Sequence, residues 1–171
     1  MKRNLEIKAR LRDRTRARAA AIELGARPSR VEAQRDTFFC AAKGRLKLRE
    51  IAGESAWLIG YDRGDRTAAR ISSYTLVEIA DPQGLTEALA ATVGIRGQVI
   101  KEREILLWRN VRIHLDAVQG LGDYLEYEAV LSDAAGEDEA SSARSLARLC
   151  ATMGIADEDR VAVAYADLLG I

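Results

Sequence analysis

Cysteine is scarce in this chain, with only Cys40 and Cys150 among 171 residues. Two thiols so far apart in sequence exclude a disulfide framework and a thiolate zinc site, and leave reduced cysteines as the default. Histidine is scarcer still, His114 alone, and no spacing supports a triad between it and Cys40. No apolar run is long enough to span a bilayer. Met1-Lys2-Arg3-Asn4 leads into an alternating strand rather than an apolar signal core, so a cytoplasmic address is expected. Charge of one sign is missing too, since Lys plus Arg number 26 and Asp plus Glu number 26. No global field draws the chain to nucleic acid or membrane, and any anion site must be local.

The periodicity is mostly that of strands. From Asn4 to Arg12, Leu5, Ile7, Ala9 and Leu11 alternate with Asn4, Glu6, Lys8, Arg10 and Arg12. Asp13 is placed to cap a helix carrying Ala17, Ala20, Ala21 and Leu24 on one stripe, with Gly25 marking its end. Strand-like runs follow at about 34–40, 45–52, 56–63, 69–79, 97–108, 110–118 and 123–132. Asp81-Pro82 opens a helix with Leu85, Ala88, Leu89 and Val93 on its stripe and Gly94 as its stop. Leu146, Leu149, Cys150 and Met153 form a third stripe. Val161, Tyr165, Leu168 and Leu169 form a fourth, behind an Asp157 cap. Residues 132–142 read as a linker. The expectation is one domain over residues 1–171, with strands from about 2 to 132 and trailing helices from about 138 to 169.

About eight mostly antiparallel strands allow an open sheet or a closed barrel. The charged faces favour the barrel. Arg45, Lys47 and Arg49 share one face of a strand, Lys101 and Arg103 share another, and Arg63 and Arg112 lie elsewhere. Like charges on neighbouring strands destabilise a sheet unless an anion sits among them. A barrel with helices outside and a charged interior converts that cost into a polyphosphate site, Arg gripping oxygens bidentately and Lys acting as a point charge. Glu6, Asp116, Glu126 and Glu128 are candidate ligands for a divalent cation. An oxygen-only set suits Mg2+ or Mn2+, and zinc is disfavoured.

These residues resemble the CYTH domain superfamily, the triphosphate tunnel metalloenzymes that include class IV adenylyl cyclases and thiamine triphosphatases. The family's opening Glu-x-Glu-x-Lys reads here Asn4-Leu5-Glu6-Ile7-Lys8, and its basic strand reads Gly44-Arg45-Leu46-Lys47-Leu48-Arg49. Tyr61-Asp62-Arg63, Lys101-Glu102-Arg103, Asp116, Leu121-Gly122 and Glu126-Tyr127-Glu128 follow in the family's order. The resemblance implies an eight-stranded antiparallel tunnel that binds a triphosphate with Mg2+ or Mn2+. Lys8, Glu126 and Glu128 are then the catalytic candidates. Lys8, Arg10, Arg45, Lys47, Arg49, Arg63, Lys101, Arg103 and Arg112 are expected to bind the triphosphate. Asn4 stands where the family has its first carboxylate, which predicts one tight metal site, one weak one and a reduced activity.

Two reactions fit such a tunnel: water attacking the terminal phosphorus, or the ATP ribose hydroxyl attacking the first phosphorus to give cyclic AMP and pyrophosphate. The wording of the opening and basic strands is similar to that of class IV cyclases, which makes cyclisation the expected branch and hydrolysis of tripolyphosphate, thiamine triphosphate or a nucleoside triphosphate the alternative. A non-catalytic polyphosphate- or nucleotide-binding module is the third reading. The expected partner is a small triphosphate rather than nucleic acid or membrane, and a two-fold homodimer is compatible. Other residues carry plainer readings. His114, between Ile113 and Leu115, reads as a strand-face residue, Tyr61 and Tyr124 read equally as substrate contacts or packing, and Asp36 as the neutraliser of a nearby Arg. The Arg-rich stretch from Arg10 to Arg18 reads as strand running into a solvated helix face, and Gly120-Leu121-Gly122 as a hairpin turn.

Overall fold

The alternating N-terminus forms strand β1 (Lys2–Arg10), and Asp13 accepts from the backbone N–H of Arg16 to open helix α1 (Arg14–Glu23). The computed structural model describes residues 2–63, 68–132 and 138–171, and the side chains of all of these except Lys2 and Arg63. Strands β2 (Arg27–Phe39), β3 (Arg45–Ile51), β4 (Ala56–Arg63) and β5 (Arg70–Ile79) follow, then helix α2 (Pro82–Thr92). Next come β6 (Ile95–Trp108), β7 (Val111–Val118), β8 (Gly122–Val130), helix α3 (Glu139–Met153) and the short helix α4 (Tyr165–Leu168).

The strands close into an antiparallel barrel in the order β1-β5-β4-β3-β2-β6-β7-β8, with β8 returning to pair with β1. Closure removes every sheet edge and divides the side chains into an outward and an inward set. The outward set is apolar where helices cover it. Leu5, Ile7, Ile113, Leu115, Leu125 and Tyr127 pack with Ala17 and Ala21 of α1 and Leu146 and Leu149 of α3. Phe39, Leu48 and Ala56 pack with Leu85 and Leu89 of α2. Each large side chain fully withdrawn from water contributes about 1.5–3 kcal/mol. The inward faces are thereby released from forming the core, except at the α4 end, where Phe38 and Val99 are buried inside the barrel.

Three details depart from the periodicity. Strand β2 begins at Arg27, well before the expected start, because its first residues are exposed and carry no buried alternation, yet they pair with β6 across a register irregularity between Pro28 and Arg30. Proline is tolerated in strands at such irregularities. The expected linker is partly helical, since Asp138 accepts from the N–H of Ser141 and starts α3. The fourth apolar stripe is not one helix behind Asp157. It is a 3-10 turn at Asp157–Asp159, an extended stretch and then α4, whose Tyr165, Leu168 and Leu169 pack with Phe38, Val99, Val118 and Tyr124 at one end of the barrel.

Because most of the core lies outside the barrel wall, truncating an outward residue should harm stability and spare the lumen. Leu115, with 0 % of its surface exposed, is such a residue: Leu115→Ala should lose about 2–5 kcal/mol in urea denaturation. Affinity for tripolyphosphate, measured by calorimetry on the folded variant, should stay unchanged.

Candidate functional site

The lumen holds a cavity of about 720 Å3 whose lining includes seven cationic residues (Arg3, Lys8, Lys47, Arg49, Lys101, Arg103, Arg112) against four carboxylates (Glu6, Asp36, Glu126, Glu128). In a chain of zero net charge, this concentrates positive charge at one enclosed place, and low-dielectric walls strengthen its field. The charge is unevenly distributed. Among the described residues, β4 and β5 contribute only the uncharged Ile59, Tyr61, Ser72, Tyr74 and Leu76 to the lining.

One cluster is organised by Asp36. Register places it opposite Arg49, whose Nε and Nη2 donate to its two oxygens at 2.7 Å each. Lys47 Nζ donates at 2.8 Å and Lys101 Nζ lies at 3.6 Å, so one carboxylate aligns three cations. Burial favours the protonated form of Asp36, yet Arg49, Lys47 and Lys101 together hold it well below the ordinary carboxylate range. The cations feel the opposite pressure. Burial and the neighbouring Arg103 push the Lys101 ammonium well below its usual range, and burial with Arg49 lowers that of Lys47. An arriving polyanion would relieve both.

A second cluster joins β1, β6, β7 and β8. Arg103 donates to both oxygens of Asp116 at 2.6 Å each and to Glu126 Oε2 at 2.8 Å. Tyr165 of α4 donates its hydroxyl to Asp116 at 2.8 Å and offers its ring to the Lys8 ammonium, 3.8 Å from the centroid. Lys8 Nζ is 3.7 Å from Glu126 Oε1. Although burial opposes ionisation, Lys8, the adjacent His114 side chain and Arg103 hold Glu126 well below the usual carboxylate range. Glu128 faces Arg112 Nε at 3.6 Å, and Asn4 Nδ2 donates to it at 3.5 Å. Glu6 accepts from Arg70 Nε at 2.9 Å, and Arg70 also donates to the carbonyl oxygens of Val161 and Ala162.

Of the residues singled out from sequence, Asn4, Glu6, Lys8, Lys47, Arg49, Lys101, Arg103, Arg112, Glu126 and Glu128 line one cavity. Arg10, Arg45 and Asp116 lie apart from the lining. Arg10 is exposed, stacked 5.8 Å from the Tyr124 ring centroid. Arg45 reaches Asp167 at 3.6 Å, and Asp116 is enclosed behind Arg103 with both oxygens engaged. The side chain of Arg63 lies outside the described residues. Glu126 and Glu128, at successive inward positions of β8, are the carboxylates best placed for a metal ion, and their oxygen donors fit Mg2+ or Mn2+. Three participants lie outside the expected catalytic, triphosphate-binding and metal sets. Asp36 neutralises Arg49, as its sequence position suggests, and also engages Lys47 and Lys101. His114 shares the inward phase of Arg112 and Asp116, a signal present in the alternation itself. Tyr165 had no local signal, because its contacts to Lys8 and Asp116 are wholly tertiary.

Comparison with known proteins adds the decisive observation: the model of the CYTH domain matches residues 2–165. The chain belongs to the CYTH domain family. No curated protein matches it by sequence. Among solved structures, this CYTH chain is similar to the PH1012 protein of Pyrococcus horikoshii, at 22% identity and a TM-score of 0.84, covering 96% of this chain and 98% of that one. It is similar to a candidate adenylate cyclase of Vibrio parahaemolyticus, at 20% identity and a TM-score of 0.75, covering 98% of each. The candidate adenylyl cyclase HpAC1 from Hippeastrum, described with a dominant triphosphatase activity, aligns at 17% identity with a TM-score of 0.66, over 99% of this chain and 94% of that one. At these identities the likeness concerns the fold. Among the described residues, no helix is long and apolar enough to cross a membrane.

The Asp36 cluster makes a pH-dependent contribution to stability. Its folded-state carboxyl titrates below the unfolded value of about 3.9. The stabilisation is therefore fully present above that pH and is lost as pH falls towards the folded-state value. Asp36→Asn should cost about 3–5 kcal/mol near neutrality, and its deficit against the wild type should shrink as pH drops below about 4. Urea titrations across that range measure both, and a deficit independent of pH would contradict the assignment.

Proposed function

We propose that this CYTH protein is a divalent-metal-dependent enzyme acting on a nucleoside triphosphate, converting ATP to cyclic AMP and pyrophosphate. The observation that carries the reading is the division of one cavity into a cationic wall bearing Lys8, Lys47, Arg49, Lys101, Arg103 and Arg112 and a second wall to which β4 and β5 contribute, among the described residues, only the uncharged Ile59, Tyr61, Ser72, Tyr74 and Leu76. A bare polyphosphate has no use for the second wall. A triphosphate carrying an aromatic base uses both, its phosphates on the cations and its base against apolar and tyrosyl surface.

Lys47, Arg49 and Lys101 are pre-positioned by Asp36, and Arg103 by Asp116, so their donors need little rearrangement as charge develops on the phosphate oxygens. Lys8, held between Glu126 and the Tyr165 ring, neutralises charge on the departing group. A divalent cation held by Glu126 and Glu128 would supply further neutralisation of phosphate oxygens. Asn4 contributes a neutral amide where a carboxylate would add charge, which supports one strong metal site and a weaker second. In cyclisation the ribose hydroxyl attacks the first phosphorus, its proton passes to solvent water, the bond from phosphorus to its bridging oxygen breaks and pyrophosphate leaves with the electron pair.

Hydrolysis is the second reading. It asks only for the phosphate grip and for water near Glu126 and Glu128, and the dominant triphosphatase activity described for the Hippeastrum protein favours it. Incubating the protein with ATP, tripolyphosphate or thiamine triphosphate in Mg2+ or Mn2+ separates the two. Cyclic AMP is the expected product. Phosphate release would transfer the assignment to hydrolysis, and tight binding without turnover would leave a binding module. Glu126→Gln should abolish turnover with an unchanged circular dichroism spectrum, and intact metal-dependent activity in that variant would remove the metal assignment. Lys47→Ala should weaken triphosphate binding in calorimetry and, by analogy with losing one oxyanion donor, add roughly 2–4 kcal/mol to the barrier.

A further inference from the structure

Beside Glu126 and Glu128 lies a group that the reading above leaves unused. His114 stands opposite Glu126 on one side and Ile105 on the other, is 3% exposed, and has no hydrogen-bond partner at Nδ1. Buried polar atoms are nearly always satisfied, so an orphaned imidazole nitrogen next to two carboxylates requires a physical cause. Its Nδ1 is 3.9 Å from Glu126 Oε2 and 4.0 Å from Glu128 Oε1, too far for direct hydrogen bonds. The three residues nevertheless offer ligand atoms all within 4.8 Å of one another. Metal–ligand bonds of about 2.1 Å put adjacent ligands about 3 Å apart and opposed ligands about 4.2 Å apart. Both nitrogen–oxygen separations fall between those limits. The spacing that is wrong for a hydrogen bond suits an ion seated between the groups.

We infer that His114 is a nitrogen ligand of the divalent cation, making the centre a His-Glu-Glu set rather than the all-oxygen set expected from sequence. This rests on the reading that Glu126 and Glu128 hold metal. A neutral imidazole adds no charge to the site but binds transition ions more strongly than alkaline-earth ions, whereas carboxylates serve both. The site therefore ranks Mn2+ and Co2+ above Mg2+. His114 also lies outside the cavity lining, so it ties the ion to β7 from behind the carboxylates and leaves the lumen side open to phosphate oxygens.

The chain has a single histidine, so growth on 15N-histidine labels the imidazole without ambiguity. Pulsed electron paramagnetic resonance of the protein loaded with Mn2+ alone should show a 14N coupling at natural abundance that is replaced by a 15N coupling in the labelled protein. In calorimetry with MnCl2, His114→Gln should lose at least roughly tenfold in affinity, since removing groups that merely support ligands already costs about 10–100-fold. His114→Asp should retain Mg2+ binding and lose the preference for Mn2+. Bound Mn2+ with no nitrogen coupling would overturn the assignment of His114 while leaving the two glutamates as ligands. Absence of Mn2+ binding to the wild-type protein would overturn both. The labelling result uses the wild-type chain and does not depend on whether a variant folds.

Discussion

Pairing of β1 with β8 is the constraint on which the rest of the molecule depends. These strands come from opposite ends of the barrel sequence, and their register places Glu6 opposite Glu128 and Lys8 opposite Glu126. No local interaction would bring those groups together. Closing the sheet does so while leaving no unpaired edge, and it turns the polar face of every strand into the wall of one enclosed space.

The enclosure reverses the usual relation between core and site. Two apolar clusters lie between the wall and the helices and stabilise the barrel from outside, while a third packs the inward Phe38 and Val99 against α4 at one end. Charges that would be costly in an ordinary core are tolerated because opposite charges are grouped into ion-paired clusters. Asp36 serves Lys47, Arg49 and Lys101, while Asp116 and Glu126 serve Arg103. The remaining excess along the described lining is cationic, a charge that an anionic ligand would complement. A stably folded empty barrel and a high affinity for polyphosphate would make opposing demands on the same residues.

The C-terminal segment is part of the same arrangement. Tyr165 and Ala164 enter the cavity lining from beyond the last strand, and Arg70, which pairs with Glu6, is fixed by carbonyls of Val161 and Ala162. A tail that looks peripheral along the chain therefore helps to hold Lys8, Asp116 and Glu6 in place.

Alternation by itself determined which side chains share a strand face, and the ordered motifs were enough to place the chain in a closed antiparallel barrel with Lys47, Arg49, Lys101, Arg103, Glu126 and Glu128 inward. This works because a two-residue period is set by backbone geometry, whatever the neighbours. Tertiary structure alone decided which inward residues meet. Arg45, with the same phase as Lys47 and Arg49, turns to Asp167, Asp116 becomes enclosed behind Arg103, and His114 comes to face two carboxylates. Phase fixes the direction of a side chain, but position around the barrel, depth along it and the partners competing for each charge are set by strand order, register and the closing of one end by α4. Those quantities exist only once residues distant in sequence have been brought into contact.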